Sequence, residues 1–212
     1  MRRLICSVLV TALAWVAAPS RAGVLATDPA AYIDVSSVQW HGSTPFSNVF
    51  GLVGYVDWAV YAPGSFPGGF AGYTPTPGEL AYAYQVFVTG TLELSSAGIA
   101  IEVPNPADNI GTFSGGGVSG DAPISISFSG APDSADWEFT GILPPGSSQG
   151  LAFSSPNIPM DYFGSVIDGG TFAFIVPLPS PSPIKLPEPG SIALLGLSAI
   201  GLLFARRKRM AR

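Results

Sequence analysis

The placement of charge constrains this chain more than any other feature of its sequence. None of its nine Lys and Arg residues lies between residues 23 and 184, whereas this stretch holds every Asp and Glu except Glu188. A segment of this kind has no Lys or Arg for an internal salt bridge, so its fold depends on apolar burial and hydrogen bonds. Its negative charge also repels phosphate backbones, which excludes a nucleic-acid-binding protein.

Apolar residues of this segment alternate with a period of two. In residues 79–88, Leu80, Tyr82 and Tyr84 fall on one face, and Ala81 and Ala83 fall on the other, as in a β-strand. Similar stretches, each bounded by Gly, Pro, Asn or Ser, are AYIDVSSVQW, GYVDWAVYAPG, GIAIEV, PISISFSG, DWEFTGIL and GTFAFIVP. The pattern predicts an all-β body, an antiparallel β-sandwich or jelly roll, with about eight strands joined by short turns.

The first 22 residues have the order of a secretory signal peptide with an apolar helix. Arg2 and Arg3 precede an apolar stretch, and small residues follow it. We predict cleavage after Ala22, with cleavage after Ser20 as the alternative. The single cysteine, Cys6, lies inside this peptide, so the β-rich extracytoplasmic domain predicted at residues 23–176 has no thiol or disulfide.

Residues 177–186 follow as a predicted Pro/Ser-rich linker. Proline stands at every second position from Pro177 to Pro183. Such a sequence favours extended polyproline II at about 3.1 Å per residue, which predicts a spacer about 30 Å long between the domain and a membrane.

The C-terminal region combines three features in order. Pro187, Glu188 and Pro189 precede an apolar run over residues 192–205, which is followed by a basic cluster. As a helix this run measures about 21 Å, short of the roughly 30 Å hydrocarbon core of a bilayer, so it predicts a short transmembrane helix. The cluster should stop transfer and remain cytoplasmic. Its members are Arg206, Arg207, Lys208 and Arg209.

Residues 187–209 resemble the PEP-CTERM sorting signal of Gram-negative bacteria. The resemblance implies an exported protein that forms an inner-membrane intermediate, is cut by an exosortase, and reaches the cell surface or extracellular matrix. Hosts of this family typically make exopolysaccharide or biofilm matrix. Two alternatives stay open: an unprocessed membrane anchor, and a sortase LPxTG motif at residues 186–190, in which Pro189 replaces the required threonine.

For the body we predict a structural or adhesive role without enzymatic activity. The single histidine, His41, has no GxSxG motif or cysteine to accompany it in a catalytic triad. The alternative is a carbohydrate-binding module that stacks Trp40, Trp58 and Tyr61 on exopolysaccharide. A third hypothesis, a glycan-active enzyme, would need two convergent carboxylates.

Asp133, Asp136 and Glu138 are weak candidate Ca²⁺ ligands, because hard carboxylate oxygens suit this ion. Their spacing is not that of an EF-hand loop. No other cofactor is expected. The predicted partners are signal peptidase, exosortase, exopolysaccharide, and the membrane through the C-terminal helix.

Overall fold

The computed structural model describes residues 23–91, 94–95, 98–130, 134–168 and 171–186. These residues form thirteen β-strands and one short 3-10 turn at Leu25–Thr27, so the all-β prediction is confirmed. The predicted signal helix and C-terminal helix lie outside the described residues. The strands are β1 His41–Ser47, β2 Val53–Tyr61, β3 Leu80–Val88, β4 Leu94–Ser95, β5 Gly98–Glu102, β6 Asp108–Phe113, β7 Ser125–Ser129, β8 Ser134–Glu138, β9 Gly141–Ile142, β10 Gly146–Ser147, β11 Gly150–Ser155, β12 Asn157–Asp168 and β13 Thr171–Lys185.

Two antiparallel sheets make up the body, as the sequence predicted. The first has the order β1-β2-β3-β11-β6, with β10 also pairing with β3. The second has the order β13-β12-β5-β8-β7, and β4 pairs with β9 as a separate ribbon. Most neighbouring strands are distant in sequence, so the architecture depends on long-range pairing.

The main core contains residues from both sheets. Leu80, Tyr82 and Tyr84 on one face of β3 join Trp137 of β8 and Ile175 of β13 in one buried cluster. Each of these side chains is fully removed from solvent. Burying one large apolar side chain stabilises a fold by about 1.5–3 kcal/mol, so this cluster is the main source of stability.

The opposite face of the first sheet is also covered. Ala81 and Ala83 of β3 present small side chains there, and the rings of Tyr61, Phe70 and Phe113 belong to the same buried cluster. The segment between β2 and β3 supplies part of this cover. The alternation in β3 therefore separates two apolar environments, and neither face of the strand is solvated.

The segment AYIDVSSVQW, predicted as a strand, forms a turn with an isolated bridge between Ile33 and Gln39. The Asp34 carboxylate accepts hydrogen bonds from the backbone N–H groups of Ser36 (2.8 Å) and Val38 (3.0 Å). Short polar side chains of this kind compete with strand pairing by bonding to the local backbone. The strand prediction was wrong here for that reason.

The predicted linker was also wrong: most of residues 177–186 belong to β13, which pairs with β12. Because these prolines occupy alternate positions, the backbone positions that lack an N–H group all lie on the same side of the strand. The outer side of an edge strand has no neighbouring strand, so it needs no N–H donors there. Side chains satisfy the carbonyl oxygens of three of these prolines. Thr44 donates to Pro177 (2.6 Å), Tyr84 to Pro179 (2.6 Å) and Asn105 to Pro181 (2.8 Å).

Candidate surface site and sorting signal

Tyr61, predicted to stack on a sugar, is fully buried. Its hydroxyl donates a hydrogen bond to Asp28 Oδ2 at 2.7 Å, and its ring meets Phe66 and Phe70 edge to face. Burial, reinforced by Asp28, raises the pKa of this phenol far above its usual value. The assignment of Tyr61 as a sugar-stacking residue was therefore wrong.

Trp40 and Trp58 are half-buried and pack against the main core. Their ring centroids lie 6.5 Å apart and their planes are inclined by 50°. The indole N–H groups donate to Asp34 Oδ2 (3.2 Å) and Thr44 Oγ1 (3.0 Å). The two rings are close together but do not form a coplanar platform.

An exposed apolar strip occupies the outer face of β12 and β13. Phe172, Phe174 and Val176 are 57%, 59% and 62% exposed, and Ile167, paired with Phe172, is 42% exposed. They point outward because the alternate residues of β13 face the core. We call these four residues the β12–β13 strip.

Additional rings extend the β12–β13 strip towards a shallow groove. The ring centroids of Phe163 and Phe174 lie 6.4 Å apart in an edge-to-face contact, and those of Phe163 and Tyr162 lie 4.6 Å apart in a stack. Among the described residues that line this groove, Asp161 is the one with a charged side chain. The sequence-based predictions missed the strip, although the sequence contains a signal for it. GTFAFIVP is apolar at successive positions, so a strand that packs only one face on the core presents apolar side chains on its other face.

The candidate calcium ligands do not form a cluster in the described residues. Asp136 is half-buried and accepts the Ser134 hydroxyl at 2.9 and 3.1 Å, whereas Glu138 is exposed. Asp133 lies outside the described residues. Within the part of the chain that the structure describes, no group of three His, Cys, Asp or Glu side chains is arranged to hold a metal ion.

A carboxylate pair that the sequence-based predictions missed joins the start of β3 to β6. Glu79 hydrogen-bonds to Asp108, and Asp108 Oδ1 accepts the Thr76 hydroxyl at 2.8 Å. Burial is the largest cause that raises the pKa of Glu79, followed by repulsion from Asp108. Burial and the neighbouring carboxylate therefore both oppose the charged form of Glu79.

His41 begins β1, and its Nδ1 lies 2.5 Å from the backbone oxygen of Ala26. This contact ties β1 to the 3-10 turn that precedes it. The position of His41 is therefore explained by a structural contact with the backbone.

The sorting and processing residues predicted from the sequence lie outside the described residues. The chain is described up to Leu186, whose N–H donates to the Pro156 oxygen at 2.9 Å and whose side chain packs against the main core. Among the described residues, no helix has the length and apolar character needed to cross a membrane. The undescribed site residues are Ala22, Pro187, Glu188, Pro189, Arg206, Arg207, Lys208 and Arg209.

Comparison with known proteins bears on the C-terminal region alone. A search of curated proteins and a search of solved structures each found no match to the chain. Residues 186–209 match the family model of the PEP-CTERM protein-sorting motif, starting at the residue that follows β13. The chain is therefore a β-sandwich-like domain followed directly by a PEP-CTERM protein-sorting motif.

Proposed function

We propose that this chain is an exported structural or adhesive protein of a Gram-negative cell surface or matrix, released from a membrane intermediate by an exosortase. The PEP-CTERM motif implies export and sorting to the cell envelope or surface. That motif is the observation that carries the proposal. The body contributes its surface and has no catalytic role.

The β12–β13 strip supports the adhesive part of the proposal. Large apolar side chains that lie next to one another on the surface of a protein mark sites where a partner binds. The ring centroids of Phe172 and Phe174 lie 5.0 Å apart and the ring planes are inclined by 75°. The two side chains therefore present a ring face and a ring edge to a partner. The same strand ends next to the sorting motif, which places the strip on the element nearest the C-terminal signal.

A carbohydrate-binding module remains the second candidate, and one observation favours it. Tyr162 and Phe163 stack beside Asp161, which combines aromatic rings with a carboxylate in one groove. Sugar sites use this combination of apolar ring faces and orienting polar groups. The remaining lining residues are Phe174, Val176 and Pro177, so the groove is mainly apolar and fits an adhesive contact better.

Sorting is tested by expressing the full chain in a host with an exosortase and in the same host without it. Mass spectrometry of the surface protein should find a C-terminus before Arg206 in the first host. Glu188→Ala and deletion of residues 206–209 should leave uncut precursor in the membrane. Glu138→Ala, which removes an exposed carboxylate from β8, is the matched control and should be processed normally. An intact C-terminus at Arg212 in the wild-type surface protein contradicts the proposal.

Adhesion is tested with the double substitution Phe172→Ser and Phe174→Ser. The altered protein should still be exported, but cells that carry it should lose self-aggregation or attachment. Ile124→Ser is the matched control because Ile124 is 69% exposed and directly precedes β7, at the edge of the second sheet opposite to β13. Retention of exopolysaccharide by the isolated wild-type protein, lost on Tyr162→Ala, would instead favour the carbohydrate-binding candidate.

A further inference from the structure

A buried carboxylate lies beside the first described residue of the chain. Asp57, in the middle of β2, is fully removed from solvent between Ser43 of β1 and Gln85 of β3. The backbone N–H of Gly23 donates a hydrogen bond to its Oδ2 at 2.5 Å, and Ser43 supplies a side-chain hydrogen bond. Its Oδ1 has no hydrogen-bond partner among the described residues.

No basic side chain of the domain interior is available to neutralise Asp57. Residues 23–184 contain no Lys or Arg, and the one histidine of the chain, His41, directs its Nδ1 to the Ala26 oxygen. Burial raises the pKa of the Asp57 carboxyl, while the hydrogen bonds from Ser43 and Gly23 act in the opposite direction. An ionised carboxylate buried without a cation is strongly unfavourable.

We propose that hydrolysis of the Ala22–Gly23 peptide bond creates an α-ammonium group on Gly23 that forms an ion pair with buried Asp57. Water adds across the C–N bond, its hydroxyl going to the Ala22 carbonyl carbon and a proton to the Gly23 nitrogen. At neutral pH the products are a carboxylate and an ammonium, since an α-amino group has a pKa of about 7.7–8.0. The mature N-terminus then supplies the cation that the interior lacks. The proposal rests on the export step of the proposed function, in which signal peptidase makes this cut.

The surroundings of Gly23 favour this residue at the mature N-terminus. A Cβ atom at position 23 would collide with Asp57 Oδ2 and lie 3.2 Å from Phe87 Cζ. The alternative cut after Ser20 would leave two further residues and carry the ammonium up to about 7 Å along the chain. Only the cut after Ala22 puts the charge on the nitrogen that already contacts Asp57.

Gly23 lies at an open groove on the surface of the domain. Gly23 and Val24 line an open depression together with Tyr55, Phe87 and Gly117. The Tyr55 and Phe87 rings, which line this depression, stack with their centroids 4.7 Å apart. The Gly23 nitrogen therefore contacts the buried carboxylate on one side and is near a surface opening on the other.

The first test is the N-terminal sequence of the exported protein. We expect it to begin at Gly23, and a protein that begins at Arg21 overturns the proposal. This readout is independent of the C-terminus, so an intact Arg212 would contradict exosortase processing and leave the N-terminal proposal standing.

The second test compares residues 23–212 in detergent with the same chain retaining Ala22, each with Asp57 and with Asp57→Asn. With Asp57, the free Gly23 terminus should raise the folding equilibrium constant about tenfold or more, equivalent to roughly 3 °C or more in Tm. With Asp57→Asn this difference should fall to less than about twofold. An equal difference in both backgrounds, or none in either, overturns the ion pair.

A third measurement keeps the proposal falsifiable if Asp57→Asn does not fold. The pKa of the Gly23 α-amino group, measured by NMR in the wild-type chain that begins at Gly23, should lie above the usual value of about 8 because the carboxylate stabilises the ammonium. A pKa at or below that value overturns the ion pair.

Discussion

Carboxylates of this domain lie close to one another in a stretch of sequence that has no Lys or Arg. Glu79 meets Asp108, and Glu102 of β5 is near Asp136 of β8. Burial is the larger cause that raises the pKa of Glu79 and of Glu102, and the neighbouring carboxylate is the next. These contacts oppose folding at neutral pH, where the carboxyl groups of the unfolded chain ionise freely.

The substitution Glu79→Gln should stabilise the domain at neutral pH. A raised pKa in the folded state means that stability is lost as pH rises from the unfolded value of about 4.3 through the folded value. The substituted glutamine is uncharged throughout, so we expect Tm to increase by about 2 °C at pH 7 and to be unchanged near pH 3. Thermal unfolding at both pH values measures this. Glu138→Gln is the control, and an equal gain there would indicate a general charge effect.

At the scale of elements, β13 is the strand whose second half was predicted wrongly from the sequence. The pattern Pro-x-Pro-x-Pro is equally compatible with polyproline II and with an edge strand, because both are extended and neither needs the proline N–H. The carbonyl partners Thr44, Tyr84 and Asn105 decide between them, and they are up to 133 residues away. Local sequence alone does not contain that information.

Removing the second half of β13 should unfold the domain. A chain that ends at residue 176 loses buried Leu178, Ser180 and Ser182 and leaves the Tyr84 hydroxyl buried without its acceptor. An unsatisfied buried polar group costs about 1–3 kcal/mol, to which the lost apolar burial adds. Circular dichroism and thermal unfolding of residues 23–176 should show loss of the cooperative transition that residues 23–186 retain. Equal Tm values for the two chains would restore the linker interpretation.

The all-β class and the internal strands were predictable because their apolar alternation is strong. Leu80, Tyr82 and Tyr84 were placed on one face of β3, and the structure buries them together. The candidate surface was not predictable in the same way. Trp58 and Tyr61 have similar sequence surroundings, yet one is half-buried and the other fully buried, because the cover over Tyr61 comes from Phe66 and Phe70 in the following loop.

At the scale of the whole molecule, negative charge is distributed through a domain that has no Lys or Arg before Lys185. Repulsion among these charges weakens the compact state, and salt screens it. Along the sequence the acidic body lies between two basic ends, the distribution that the positive-inside rule favours for the export proposed above.

Calcium binding stays a prediction and is tested at this scale. If the domain has a calcium site, millimolar CaCl₂ should raise Tm more than NaCl of equal ionic strength, because a bound ion stabilises the folded state beyond screening. Asp136→Asn should reduce that excess and Asp161→Asn should not. Equal shifts with the two salts would show screening alone.

The absence of a spacer between β13 and the sorting motif has a consequence for steric clearance and timing. The Leu186 N–H is hydrogen-bonded to the Pro156 oxygen, so the residue before Pro187 lies against the folded domain, with no spacer of about 30 Å before it. A protease that binds an extended segment needs several free residues on both sides of the bond that it cuts. We therefore expect C-terminal cleavage to precede the docking of the last residues of β13 or to require their detachment. In the proposed function, C-terminal cleavage and completion of the second sheet would then compete with each other.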